Sequence, residues 1–253
     1  MSSSKELKAL IRERVWRLLE EKGVARFPKP VKGRIPNFVG AEEAAARLAQ
    51  LDVWRKARVV KVNPDSPQKP VRLLALKQGK VLVFATPRMR EGFLVIDPRK
   101  VPPHSYEHAA TIRGAFRWGR RLHLDELRDL GIDLMVTGSV AVDLRGSRLG
   151  KGEGYAELEY AILRTVGALS EDTPVATTVH DLQVVREIPR EPHDLTMDII
   201  ATPTRVIVVS PRPPKPPGVL WDRLPCRKLE EIPLLRDLAR RLGIEKPCSD
   251  SPR

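Results

Sequence analysis

Residues 132–169 constrain the fold more than any other part of the sequence. An apolar β-type run (132–138) is followed by a loop with three alternating glycines between positions 150 and 154, and then by a helical pattern at about 155–169. A strand and a helix joined in this way are half of the repeating unit of α/β proteins. The segment therefore predicts a sheet whose strands are covered by helices.

The rest of the chain alternates between helical and β-type patterns. Helices are predicted at 5–22, 41–51, 124–130 and 229–242, and strands at 57–62, 71–77, 80–86, 93–97, 174–180, 198–202 and 204–210. The segment 98–121, rich in Pro, His and Arg, fits neither pattern. Apolar strands that alternate with helices favour a three-layer α/β/α fold with a mostly parallel sheet.

The C-terminal part differs in composition from the rest. We expect an α/β domain over 1–210, followed at 211–253 by a proline-rich spacer, RPPKPPG, and a last amphipathic helix. The two cysteines, Cys226 and Cys248, both lie in this part and match no metal-ligand spacing. They could form a disulfide, but two unrelated thiols are the favoured interpretation.

Composition excludes some classes of protein. Hydrophobic residues make up 42% and charged residues 30% of the chain, which is typical of a globular protein. No run of 18 uncharged apolar residues occurs, and the N-terminal residues do not resemble a signal peptide, so we expect a cytoplasmic protein with no membrane partner.

The net charge of +13 is unevenly distributed, because residues 131–203 carry a net charge of −6. A basic excess of this size attracts polyanions such as nucleotides or RNA. It is equally compatible with the solvated, arginine-rich surface of a thermostable protein. Both interpretations stay open.

The glycine loop has the properties of a polyphosphate site. Glycines tolerate positive φ and leave room for backbone N–H groups to converge on an anion. The following helix contributes the partial positive charge of its N-terminus, and Arg148 and Lys151 contribute full charges. The spacing fits neither the Walker A loop nor the dinucleotide fingerprint. A flexible turn in an α/β unit remains the alternative.

The loop also resembles a family signature. The sequence DLRGSRLGKGEGY, which runs from Asp143 to Tyr155, resembles the nucleotide loop of the 5-formyltetrahydrofolate cyclo-ligase family. Lys8 and Arg12 resemble its N-terminal K-x-x-x-R pair, and residues 189–202 resemble its P-x-x-x-H-D-x-x-x-D-x-x-x-T segment. The resemblance covers residues 5–210 and is nearest to the methenyltetrahydrofolate-synthetase-domain-containing branch.

This resemblance implies a NagB/RpiA/CoA-transferase-like fold and the ATP-dependent conversion of 5-formyltetrahydrofolate to 5,10-methenyltetrahydrofolate, with ATP and a reduced folate as substrates and Mg²⁺ as the metal. The formyl oxygen is phosphorylated, a folate nitrogen attacks the activated carbon, and phosphate leaves. Arg148 and Lys151 are implied as catalytic cations, and Glu157 as the Mg²⁺ ligand. The implied ATP-binding residues are Lys8, Arg12, Arg148, Gly150, Lys151, Gly152, Glu153, Gly154 and Tyr155. The implied site-ordering residues are Asp143, Asp194 and Asp198.

The chain departs from the family pattern at three points. Ala156 replaces a second tyrosine, and Glu157 replaces an aspartate. The acid expected on the folate side after the first strand is missing, and Asp65 is a weak substitute for it. A second hypothesis therefore stays open, in which the protein is a non-catalytic nucleotide- or RNA-binding protein on the same fold. The low aromatic content, 5%, argues against RNA as the main partner.

Overall fold

The structure is a computed structural model that describes residues 3–249. Its helices are α1 (Ser4–Glu21), α2 (Ala41–Ala49), α3 (Asp52–Lys56), α4 (Lys69–Lys77), α5 (Tyr106–Ala109), α6 (Ile112–Trp118), α7 (Leu124–Leu130), α8 (Tyr155–Thr165), α9 (Cys226–Glu231) and α10 (Pro233–Arg241). Within the described range, none of these helices combines the length and the apolar character needed to cross a bilayer.

The strands form two sheets. They are β1 (Val59–Val62), β2 (Val81–Ala85), β3 (Phe93–Ile96), β4 (Arg120–Leu122), β5 (Leu134–Thr137), β6 (Ala141–Asp143), β7 (Arg148–Leu149), β8 (Val175–Thr178), β9 (Val184–Val185), β10 (Ile199–Ala201) and β11 (Val206–Val208). The large sheet has the order β11-β10-β8-β5-β1-β2-β3-β4, and the small sheet has the order β7-β6-β9.

The centre of the large sheet is parallel. β10, β8, β5, β1 and β2 pair in parallel, whereas β11, β3 and β4 add antiparallel edges. The chain moves from β1 to β2 on one side and later returns to β5 on the other side of β1. The order of the strands therefore reverses beside β1, and open α/β sheets bind their ligands at such a reversal.

Helices cover both faces of this sheet, as predicted for three layers. Along β1, Val60 and Val62 face a core that α2, α4, α5 and α6 complete. The opposite face, which includes Met135 of β5, packs against α7, α8 and α10. The parallel strands are buried on both sides, which is why their sequences are continuous apolar runs rather than alternating ones.

Helix α1 packs on the small sheet instead of the large one. Val15, Trp16 and Leu19 contact Val140 and Leu149 in a separate apolar cluster. The hairpin β6–β7 lies between β5 and the glycine loop, in a stretch that the sequence pattern presented as a single loop. The hairpin brings α1 beside that loop.

The prediction of a strand at 71–77 is wrong, because these residues form helix α4. The buried positions Val71, Arg72, Ala75 and Leu76 follow helical spacing. Pro70 lies in the first turn, where its missing N–H costs nothing. The unassigned segment 98–121 contains the short helices α5 and α6 and the start of β4.

The C-terminal segment corrects two further expectations. Cys226 and Cys248 form a disulfide rather than two separate thiols. The single predicted helix at 229–242 is divided in two, because Pro233 begins a new helix after Ile232 adopts an extended conformation. The spacer also packs on the domain, since the buried ammonium group of Lys215 lies 2.8 Å from Asp198.

Helix α10 carries apolar side chains into the same core as α7 and α8, which suggests that it folds with the domain. Leu235 is fully buried there, so Leu235→Ala should lower the free energy of unfolding by about 2–4 kcal/mol. Leu242→Ala, at a leucine that is 49% exposed, is the matched control and should have little effect. Chemical denaturation measures both, and equal small effects would show that α10 unfolds independently.

Candidate functional site

A cleft of about 340 Å³ opens at the carboxyl ends of the central parallel strands. Asn63 and Asp65 follow β1, Thr86 and Arg88 follow β2, and the glycine loop closes the opposite wall. The cleft lies where the order of the strands reverses beside β1, which is the usual ligand position in an open α/β sheet. Carboxyl ends of parallel strands meet at one edge, so residues far apart in sequence converge here.

The glycine loop borders this cleft, and several of its backbone amides have no acceptor in the part of the protein that the structure describes. Gly152 has a φ of 102° and Gly154 a φ of 74°, which are conformations that favour glycine. No carbonyl oxygen within the described residues 3–249 accepts a hydrogen bond from the amides of residues 151–154. Gly154 also caps α8 without a side-chain hydrogen bond, leaving the amides of the first helical turn open. Open amides of this kind, next to a helix N-terminus, are the groups with which proteins commonly bind anions.

Arg148 is buried at the base of the loop and fixes its shape. Its Nε and Nη2 donate to the carbonyl oxygen of Gly138 at 3.0 and 2.7 Å, and its Nη1 donates to Glu157. The guanidinium also lies against Gly150, where an added Cβ would come within 3.0 Å of it. Arg148 therefore joins the end of β5, the loop and the start of α8.

The cations nearer the mouth of the cleft are more accessible. Lys151 is partly exposed and lies 2.8 Å from Glu153, which Arg88 approaches from the other side at 4.0 Å. Arg88 and its neighbour Met89 both have positive φ, at 55° and 52°. Backbone strain of this kind persists where the surrounding structure enforces it, commonly at binding sites. Arg88 was not predicted from the sequence, since nothing marked the turn after β2 as part of the site.

The two predicted cations of α1 have different surroundings. Arg12 donates from Nε to the carbonyl oxygen of Gly150 at 2.7 Å, so it contacts the loop directly. Burial lowers the pKa of Arg12, and Glu157 opposes this shift. Lys8 instead donates to Glu191 and Asp194, each at 2.6 Å, and is buried beside them. The structure thus brings Arg12, but not Lys8, into contact with the glycine loop.

The three predicted site-ordering aspartates all accept hydrogen bonds from the backbone. Asp143 accepts from Ser147 and Ile188, joining the β6–β7 turn to the segment that follows β9. Asp194 accepts from the amide of Glu191, and Asp198 accepts from the amide of Val175. None of these three side chains lines the cleft.

A buried ion pair beneath the cleft was missed by the sequence analysis. Lys61, on the central strand β1, contacts Glu159 of α8 and donates to Asn63 at 2.5 Å. Glu159 and Asn63 both line the cleft and are almost fully buried. Burial raises the pKa of Glu159 and lowers the pKa of Lys61, and their mutual attraction opposes both shifts. The sequence feature that could have revealed this pair is a lysine within the otherwise apolar strand VVKV.

Asp65 is a second carboxylate in the cleft. Burial raises its pKa, and the nearby positive charges of Lys151, Arg72 and Arg148 oppose the increase. An added Cβ at Gly138 would come within 3.0 Å of the Asp65 carboxylate, so glycine is needed at the end of β5. Asp65 and Glu159 therefore both line the cleft as largely buried carboxylates with cations close by.

The predicted Mg²⁺ ligand, Glu157, lies at the cleft beside the loop. Its Oε1 accepts from Arg148, and its carboxylate is 16% exposed. Among the described residues, the acidic and histidine groups close enough to share one ion are Glu191, His193 and Asp194. The ammonium group of Lys8 already contacts two of these three, which makes an ion pair the simpler description of that cluster.

Tyr155, the last residue of the predicted ATP loop, contacts the C-terminal segment. Its hydroxyl donates to Glu231 at 2.8 Å, and the ammonium group of Lys228 lies 3.5 Å from its ring centroid. Burial, reinforced by the hydrogen bond to Glu231, raises the pKa of Tyr155 to about 12. Tyr155 is therefore a neutral donor at physiological pH.

Comparisons with known proteins identify the family and support the fold. Residues 4–203 match the model of the 5-formyltetrahydrofolate cyclo-ligase family. The chain belongs to this family. The matched range includes α1, the glycine loop and the residues of the cleft, and it ends before the C-terminal segment that contacts Tyr155.

Two curated relatives of the family cover most of the chain. A methenyltetrahydrofolate synthase domain-containing protein of Mus musculus is 46% identical over 239 residues, which are 92% of this chain and 63% of the relative. The Homo sapiens protein of the same name is 45% identical over 236 residues, 91% of this chain and 61% of the relative. The chain thus spans just over three fifths of the length of these relatives.

A solved structure supports the fold. The 5,10-methenyltetrahydrofolate synthetase of Aquifex aeolicus, determined by NMR, superposes with a TM-score of 0.52 at 19% identity. The superposition covers 81% of this chain and 93% of that protein. At this identity the likeness establishes the shared α/β fold of the family and nothing finer.

The Lys61–Glu159 pair gives a testable pH dependence. Lys61→Met leaves a buried carboxylate without its cation and should lower the free energy of unfolding by about 3–5 kcal/mol at neutral pH. Because the pKa of Glu159 is raised in the folded state, the folded variant binds a proton more tightly than the unfolded chain. The stability deficit of Lys61→Met relative to wild type should therefore shrink as the pH falls from neutral to mildly acidic.

The double variant Lys61→Met/Glu159→Met removes both charges and serves as the control. It should recover most of the lost stability, because two apolar chains of similar length replace the pair. Denaturation of the three proteins at both pH values measures the effect. If Lys61→Met loses little stability and its stability deficit does not depend on pH, Lys61 and Glu159 do not form a buried ion pair.

Proposed function

We propose that this protein catalyses the ATP-dependent conversion of 5-formyltetrahydrofolate to 5,10-methenyltetrahydrofolate, with Mg·ATP bound at the glycine loop. Membership of the cyclo-ligase family supports the reaction class, since that family is ATP-dependent. The observation that carries the proposal is the set of free amides at residues 151–154, between a buried arginine and the open N-terminus of α8. A polyphosphate is the ligand that such a surface fits best.

The charges around the loop fit the triphosphate. Lys151 and Arg88 lie at the mouth of the cleft, where they reach the terminal phosphate oxygens of a bound nucleotide. Arg12 and Arg148 hold the loop itself, through the carbonyl oxygens of Gly150 and Gly138. Phosphoryl transfer asks the protein mainly for positioning and for neutralisation of charge. In this scheme Arg148 acts through the loop, and Lys151 contacts the transferring phosphoryl group.

The carboxylates of the cleft fit the folate. A reduced pterin presents N–H donors, and carboxylates are their natural acceptors. Asp65 and Glu159 both line the cleft. Glu159 comes from α8 rather than from the segment after the first strand, so it supplies an acid that the sequence pattern had counted as missing. Lys61 offsets part of the cost of burying this carboxylate.

The reaction can be tested directly by mixing protein, Mg·ATP and 5-formyltetrahydrofolate and following the absorbance of the product. Lys151→Met should lower kcat/KM by about 100-fold, because it removes a charge opposite the transferring group. Lys77→Met is the control, since Lys77 is an exposed lysine at the far end of α4. A wild-type protein that binds Mg·ATP but forms no product would favour the non-catalytic nucleotide-binding hypothesis.

The metal role of Glu157 makes a separate prediction. Glu157→Gln keeps the shape of the side chain but weakens an oxygen ligand, so the Mg²⁺ concentration for half-maximal ATP binding should rise about tenfold. Glu43→Gln removes a carboxylate from the first turn of α2 and controls for the helix dipole. Calorimetry at several Mg²⁺ concentrations measures the effect. If Glu157→Gln changes the ATP affinity equally with and without Mg²⁺, Glu157 does not bind the metal, and its role is to orient Arg148.

A further inference from the structure

Helix α9 reaches the glycine loop from outside the part of the chain that matches the family. Residues 4–203 match the family model, whereas α9 begins at Cys226. Two of its side chains, Lys228 and Glu231, contact Tyr155, which lines the cleft. These contacts join the C-terminal segment to the final residue of the predicted phosphate loop.

The contacts are geometrically specific. The Lys228 ammonium lies 3.5 Å from the centroid of the Tyr155 ring and 3.2 Å from the Glu231 carboxylate, which also accepts the tyrosine hydroxyl at 2.8 Å. The three groups therefore form a closed set in which each contacts the other two. Lys228 is almost fully buried, so its cation–π contact is poorly screened by solvent. Such a set fixes both the plane and the direction of the tyrosine ring.

The orientation of Tyr155 bears directly on the open amides. Tyr155 is the first residue of α8 and follows Gly154, whose positive φ sets the direction of the loop. The amides of residues 151–154 donate no hydrogen bond to a backbone carbonyl of the described residues, so no such bond holds them in place. The loop is thus held at its start by Arg148 and Arg12, and at its end by Tyr155.

Two anchors keep α9 at this position. The disulfide joins Cys226, the first residue of α9, to Cys248. The neighbouring helix α10 packs Leu235 into the domain core and places Arg241 2.8 Å from Asp125 of α7. The disulfide is the covalent anchor of the two, and opening it would release the constraint on the first residue of α9.

We propose that α9 is a working part of the nucleotide site. Lys228 and Glu231 are positioning residues that hold Tyr155, and through it the end of the glycine loop, in the conformation that receives a polyphosphate. The Cys226–Cys248 disulfide maintains this arrangement, so nucleotide affinity depends on the oxidation state of the C-terminal segment. The inference rests on the proposed binding of ATP at the loop.

The test uses the full chain and measures ATP affinity by calorimetry. Lys228→Met should weaken ATP binding about 3- to 10-fold, because it removes the cation from the ring but keeps the apolar stem. Lys228→Arg should restore affinity, since a guanidinium also stacks on an aromatic face. In the turnover assay KM for ATP should rise while KM for 5-formyltetrahydrofolate stays unchanged. Cys226→Ser/Cys248→Ser, and wild type treated with a thiol reductant, should weaken ATP binding in the same direction.

Arg240→Met is the matched control, because it removes an exposed cation from the same segment. Its ATP affinity should equal that of wild type, and every variant is measured well below its own melting temperature so that unfolding does not contribute. If wild type binds ATP and neither Lys228→Met nor the cysteine variant changes that affinity, the inference is overturned and the proposed function stands. If wild type binds no ATP and forms no product, the proposed function fails and the inference fails with it.

Discussion

The site depends on the position of one buried guanidinium. Arg148 donates twice to the carbonyl oxygen of Gly138, at the end of a central strand, and once to Glu157 in the first turn of α8. A guanidinium is planar and holds its N–H donors in a fixed geometry, so it fixes the relative direction of the groups that it joins. Strand, loop and helix are held together at the point where the amides of residues 151–154 are left open.

Charges of both signs lie around that point. The exposed cations Lys151 and Arg88 line the cleft together with the less exposed carboxylates of Asp65 and Glu159. The buried Lys61 compensates Glu159 from below. These charges suit a ligand pair in which one member is a polyanion and the other presents N–H donors.

Local chemistry made much of this predictable. The glycine loop, its two flanking cations and the apolar parallel strands are recognisable because each depends on residues close together in sequence. The error at 71–77 has a local cause too. A short apolar run fits a strand or a helix, and only the packing of Val71, Ala75 and Leu76 against the sheet decides for the helix. The cysteines were misjudged because the sequence places no constraint on the fold between them.

The α/β class and the glycine loop after a central strand were predictable from the sequence, and the family resemblance pointed to Arg12 beside that loop. The pairing of Lys8 with Asp194, the place of Glu159 in the cleft and the contact of α9 with Tyr155 emerge only from the folded structure. These contacts join elements that are 76 to 186 residues apart in the chain. No local pattern encodes such pairings, because they follow from the order of the strands and from the packing of helices on them.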